Sequence, residues 1–249
     1  MAARRLAADA IVDNIRGMTA RIAVLASGGG TNLQAILDYF DALGSASAAT
    51  VALVASDRSA AGALDRARRH GITALALDTN QRTEGMAAVL ASDAIDLIAL
   101  AGYMRFVPTE VTRRWRGRIV NVHPSLLPAF GGAGMYGIRV HQAVIDAGVR
   151  VTGATVHFVD EEFDRGPIIA QWPVPVLERD TPQELAARVL RVEHAVFPAA
   201  LHAVARGSVT LGEDGRVRGA AGPAPACAMY SLSDVALPVG NVLFPQSQP

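Results

Sequence analysis

The chain has 249 residues, 51% of them hydrophobic, with 23 basic and 23 acidic side chains and a formal net charge of zero. All 23 basic residues are arginine, which excludes Schiff-base lysine chemistry, a pyridoxal phosphate anchor and the nucleotide loop ending in Gly-Lys-Ser/Thr. The neutral balance argues against a general nucleic-acid binder, one cysteine (Cys227) against an internal disulfide or cysteine metal cluster, and strand-sized apolar runs against a membrane span.

The order of elements starts with an extension. Residues 1–20 are set as this extension; Met1 to Gly17 lacks the apolar stretch of a signal peptide, so a cytoplasmic, reducing setting is expected. Met18 is an alternative start, and Leu6, Ile11 and Ile15 alternatively share a face of an amphipathic helix. From Arg21 strand-like and helix-like segments alternate. Residues 21–26 form a β-rich run that stops at Ser27-Gly28-Gly29-Gly30. Residues 31–43 place Leu33, Ile36, Leu37 and Phe40 on one helical face. Further strands are expected at 50–55, 72–77, 96–101 and 118–122, with helices at 60–70 and 84–92. The apolar run at 96–101 suits a parallel strand buried on both faces. Such βαβ alternation predicts an α/β fold, a doubly wound and mostly parallel sheet with helices on both faces.

The second half changes rhythm. A helix is expected at 140–147, then strands at 151–159 and 167–174 joined by a charged turn at 160–166, a later antiparallel portion. Thr181-Pro182-Gln183-Glu184 reads as a capping box opening a long helix to Ala205. From Gly207 a hairpin and then a tail are expected; the body is set at 21–212 and the tail at 213–249.

In doubly wound sheets ligands bind beyond the carboxyl ends of the strands, and the suggestive residues lie there. Three glycines followed by Thr31 and Asn32 let backbone amides approach a phosphate at a helix start. A dinucleotide fingerprint fails, because Leu33 stands where its third glycine belongs, and Asp57 is later than a ribose-binding acid would be. Asn121 and His123 straddle Val122 at the end of strand five and share a face. Pro124 and Pro128 then stiffen the loop that follows. Asp164, before Gly166-Pro167, is the candidate third partner, while Glu161 and Glu162 read as solvated. His157 reads as site-lining or structural, and His141 as a support residue. No metal set is expected.

These pieces occur in a fixed order: the 27–35 loop, Leu100-Ala101-Gly102-Tyr103-Met104-Arg105, Asn121-Val122-His123-Pro124-Ser125-Leu126-Leu127-Pro128, Thr152-Gly153-Ala154-Thr155-Val156-His157, Asp164 to Pro167, and Glu193-His194. Together they resemble the folate-dependent formyltransferases, nearest the branch directed to glycinamide ribonucleotide, over roughly residues 21–212. The resemblance implies formyl transfer from 10-formyltetrahydrofolate to the glycinamide amine in purine biosynthesis. It implies catalytic Asn121, His123 and Asp164. It further implies substrate contacts from Gly30, Thr31, Asn32 and Glu193, and folate contacts from Arg82, Met104, Arg105, Phe106, Val107 and Asn121. The segment 131–137 is longer than in some members and is expected to leave the three catalytic positions untouched. A tRNA-directed relative would need a further domain and basic surface. A formyltetrahydrofolate hydrolase would carry a regulatory domain and a second histidine where Pro124 stands, and a silent nucleotide-binding module would need a decayed constellation. Small-molecule substrates, no nucleic acid, no membrane and a possible homodimer complete the expectation.

Overall fold

Residues 19–77 and 82–219 are described by the computed structural model. Residues 1–18, with Met18, and the tail from 220, with Cys227, lie outside the described residues. Strand β1 (Ala20–Leu25) is buried at every residue but Arg21, because it has parallel neighbours on both sides. The chain continues through α1 (Thr31–Leu43), β2 (Ala49–Ser56), α2 (Gly62–Arg69), β3 (Thr73–Ala76), α3 (Arg82–Ser92), β4 (Leu97–Leu100), α4 (Thr109–Arg114) and β5 (Ile119–His123). It then forms α5 (Ile138–Asp146), β6 (Val151–Phe158), β7 (Ile168–Pro175), α6 (Pro182–Ala205) and a hairpin of β8 (Val209–Leu211) and β9 (Val217–Gly219).

The seven-stranded sheet has the order β3-β2-β1-β4-β5-β6-β7. Strands β1 to β5 are parallel, and β6 and β7 join antiparallel. The doubly wound, mostly parallel fold expected from the sequence is the one found. Strand residues alternate between two cores, as a period of two requires. Val24, Val54, Val120, Val122, Val156 and Phe158 face α1, α2 and α6. Leu25, Leu53, Ile98, Leu100 and Ile119 face α3 and α4, where Leu90, Val111 and Trp115 pack. Truncating such a residue, for example Phe158→Ala, costs about 3–5 kcal/mol.

Most boundaries shift by one or two residues from the sequence reading, and one helix is additional. His123 is the last residue of β5 rather than the first beyond it. Helix α5 begins two residues early, at Ile138. Helix α4 was not legible: six residues are too few to show a helical period, and Pro108 sits at its N-cap. The box on α6 forms as read. Thr181 Oγ1 accepts from Glu184 N at 3.2 Å, and Glu184 Oε2 accepts from Thr181 N at 2.9 Å. Such a cap is worth about 1 kcal/mol.

The order reverses between β1 and β4, which puts a crevice at their carboxyl ends. The loops after β1, β4 and β5 all open into it. A different cleft of about 470 Å³ lies at the amino ends of the strands, beside Thr19, Phe40, Ser47, Thr50 and His70, and holds none of the predicted site residues.

Candidate active site

Asn121 and His123 project from the same face of β5, and the antiparallel register brings His157 and Thr155 opposite them. His157 is buried, and its Nδ1–H donates to the Phe158 carbonyl at 2.8 Å. Nε2 is therefore an acceptor, and the Asn121 side-chain amide donates to it at 3.0 Å. Burial holds the His157 imidazole below its usual pKa despite the bond to Phe158 and the nearby Asp164 carboxylate. A neutral His157 thus fixes which way the Asn121 amide points, leaving the second Nδ2 hydrogen for a ligand.

His123 is 4% exposed. Its Nε2–H donates to the Phe130 carbonyl at 2.9 Å, and Nδ1 lies 3.5 Å from Asp164 Oδ2. Asp164 Oδ1 lies 3.8 Å from His157 Nε2. One carboxylate therefore faces two imidazoles, and the structure brings together the three residues read as catalytic. Asp164 reaches them because the turn after β6 folds back over the sheet. Its φ of 54° is left-handed, a conformation that aspartate tolerates better than most residues.

The 131–137 segment does touch this group, contrary to expectation. The Gly132 amide donates to Asp164 Oδ2 at 2.9 Å. A Cβ at Gly131 would lie 2.4 Å from Leu127 Cδ2 and 3.2 Å from Asp164 Cβ, so the loop approaches this closely only with glycine there. The contact escaped the sequence because it depends on the back-folded turn, which is 32 residues away along the chain.

The glycine loop lies at the end of β1. Gly30 is the N-cap of α1 with φ 75°, and a Cβ on it would sit 2.8 Å from Ala63 Cα. No side chain caps α1, so its first-turn amides remain available to an anion. Thr31 is exposed at this end. Asn32 and Glu193, separated by 161 positions, meet here: Asn32 Nδ2 donates to Glu193 Oε2 at 2.7 Å. Burial pushes the Glu193 carboxyl up to about 7, against the lowering effect of the Asn32 bond. Asn32 Oδ1 is buried without a partner.

The predicted folate segment follows β4. Met104 and Phe106 are each 42% exposed on the crevice. Phe106 stacks edge-on against Phe163, with ring centroids 5.0 Å apart. Val107 instead belongs to the core beneath. Arg105 is exposed, with Nε on Asp57 Oδ2 at 3.1 Å. Arg82 opens α3, and its side chain lies outside the described residues. Among the described residues no group of three His, Cys, Asp or Glu side chains could hold a metal ion. None of the described helices is long and apolar enough to cross a membrane. His141 is buried in α5 with Nδ1 unpartnered, and burial with the nearby His123 lowers its pKa to about 4.

Comparison with known proteins gives this geometry a family. The formyl transferase family model matches residues 20–201. The trifunctional purine biosynthetic protein adenosine-3 of Bos taurus is 41% identical over 210 residues, which is 82% of this chain and 20% of that protein. A chloroplastic phosphoribosylglycinamide formyltransferase of Arabidopsis thaliana is 41% identical over 202 residues, 78% of this chain and 68% of that one. The chain thus spans about a fifth of the length of the trifunctional relatives. The crystal structure of glycinamide ribonucleotide transformylase 1 from Symbiobacterium toebii superposes with a TM-score of 0.74 at 43% identity, covering 82% of this chain and 95% of that one. A formyltetrahydrofolate deformylase from Pseudomonas syringae superposes with a TM-score of 0.73 at 25% identity, covering 82% and 67%. This chain belongs to the formyl transferase family.

Proposed function

We propose that the chain transfers the formyl group of 10-formyltetrahydrofolate to the amine of glycinamide ribonucleotide, giving formylglycinamide ribonucleotide and tetrahydrofolate in purine biosynthesis. The observation that carries this reading is the convergence of Asn121, His123 and Asp164 in the crevice between an anion-ready helix start and an apolar shelf. The substrate phosphate sits on the amides of Gly30, Thr31 and Asn32. Its ribose hydroxyls face Glu193, which near neutral pH both donates and accepts. Met104, Arg105 and Phe106 line the pterin side, and Arg82 serves the folate carboxylates. Val107 supports that shelf from below.

The neutral amine attacks the formyl carbon, forming a carbon–nitrogen bond and a tetrahedral oxyanion. The free Asn121 hydrogen stabilises that oxyanion. His123 adds a second donor when its Nε2–H exchanges the Phe130 carbonyl for the substrate oxygen. One such donor is worth about 2.7–4 kcal/mol. Asp164, 3.5 Å from His123 Nδ1, accepts the amine proton, directly or through water. Collapse breaks the bond to the folate nitrogen, which takes up the proton. No lysine and no metal enters a step. The setting is cytoplasmic, the partners are these two small molecules without nucleic acid or membrane, and a homodimer is the assembly to look for.

The test mixes enzyme with 10-formyltetrahydrofolate, with and without glycinamide ribonucleotide. Amine-dependent turnover is expected, with a loss of at least about a hundredfold in His123→Ala and Asp164→Asn. Turnover without the amine would make the protein a hydrolase, and near-normal turnover in either folded variant would sink the mechanism.

A further inference from the structure

We infer that Asp57, at the end of β2, is a positioning residue for the formyl donor: its carboxylate holds the Met104–Arg105 segment in place through Ser27 and Arg105. This rests on the functional reading above. Asp57 is not itself in the crevice; its side chain is 6% exposed, beneath the loops after β1 and β4. Ser27 Oγ donates to Asp57 Oδ1 at 2.5 Å. With its proton committed there, the same oxygen accepts the Met104 amide at 2.9 Å. Arg105 Nε donates to the other carboxylate oxygen at 3.1 Å. One buried acid thus fixes two successive residues of the predicted folate shelf, one through its backbone and one through its side chain.

The arrangement is selective for the donor side. The glycine loop has anchors of its own: Ala63 N donates to Gly28 O at 3.1 Å, Arg66 Nε to Gly29 O at 2.7 Å, and Ser27 N to Gly102 O at 3.1 Å. None of these passes through the Asp57 carboxylate. Met104 and Arg105 are fastened to the body through Ser27 Oγ and Asp57. An uncharged amide at position 57 would turn a donor toward Arg105 and lose the charge-assisted bond, while the serine contact retains an oxygen. A buried acid serving only to hold the fold would show no preference between the two substrates.

The experiment measures KM for 10-formyltetrahydrofolate, KM for glycinamide ribonucleotide, kcat and melting temperature in Asp57→Asn, Ser27→Ala, Ser27→Thr and the double variant Asp57→Asn/Ser27→Ala. Asp57→Asn and Ser27→Ala should each raise the donor KM about tenfold, with kcat and the amine-substrate KM within about twofold of the parent. Ser27→Thr keeps the hydroxyl and should stay near the parent. The double variant should be no worse than the weaker-binding single variant, because both act on one network. A donor KM within about twofold of the parent in either folded single variant would overturn the inference. So would an equal rise in both KM values, or effects that multiply. If Asp57→Asn does not fold, Ser27→Ala and Ser27→Thr decide. Direct titration with 10-formyltetrahydrofolate, read by intrinsic fluorescence, separates the two readings. Failure of the parent to turn over the amine while still binding the donor would refute the functional reading alone, and unchanged donor affinity in the variants would refute the role of Asp57 alone.

Discussion

His157→Phe tests whether the direction of the Asn121 amide, rather than its mere presence, drives the proposed reaction. The parent imidazole accepts from Asn121 at 3.0 Å and donates to the Phe158 carbonyl at 2.8 Å. Phenylalanine fills the space without either bond. Leaving a buried polar group unpaired costs about 1–3 kcal/mol, so a fall of a few degrees in melting temperature is expected. The catalytic loss is separate. An oxyanion donor is worth about 2.7–4 kcal/mol when correctly placed, and an Asn121 free to rotate keeps only part of that. Losing about half gives a fall in kcat of roughly tenfold to thirtyfold, with little change in either KM. His157→Gln retains an acceptor near the same place and should recover most of kcat. Steady-state rates in the Asn121→Ala background supply the decisive arm. There, His157→Phe should have almost no further effect on kcat, since the donor it orients is gone. Multiplicative losses in the double variant would refute the reasoning and assign His157 an independent role.

Other outcomes follow from single features. Burial pushes the Glu193 carboxyl from its ordinary 4.5 up to about 7. The folded state therefore holds a proton that the unfolded chain has released, and stability falls as pH rises from about 4.5 to 7, by on the order of 3 kcal/mol in all. Denaturant titrations of the parent and Glu193→Gln across this range should diverge. Parallel curves would exclude a buried, raised carboxyl. Gly30→Ala adds a Cβ 2.8 Å from Ala63 Cα at a φ of 75°, which should cost at least about 1–2 kcal/mol and weaken phosphate binding, as read by inhibition with inorganic phosphate. Asp180 is held below its ordinary carboxylate pKa chiefly by Arg188, with both bonds at 2.6 Å. Its stabilisation is present above the unfolded pKa and disappears as pH falls through the folded value. Asp180→Asn should lower stability by about 1–3 kcal/mol at pH 7 and leave kcat unchanged.

Much of this architecture is legible because it is local or periodic. The alternation of Val24 and Leu25, or of Val120 and Asn121, assigns sheet faces without reference to distant residues. Thr181 and Glu184 announce a helix start within four residues. The rest depends on long-range placement. Asn121 and His157 are neighbours only once β6 runs antiparallel to β5 in one particular register, and a shift by one residue would send His157 to the opposite core. Gly132 reaches Asp164 only because the turn after β6 folds back in a left-handed conformation at Asp164 itself. Asp57 follows a strand much as a ribose-binding acid does, yet the fold lays two loops over it and makes it an internal fastener. The sequence thus names the groups proposed to meet the substrate, since chemistry restricts their type and topology restricts their location. It does not fix which group aims which. Asn121 requires an acceptor behind it, and a histidine, a carboxylate or a backbone carbonyl could each serve. Only the register decides that His157 is the one, and its burial favours the neutral form.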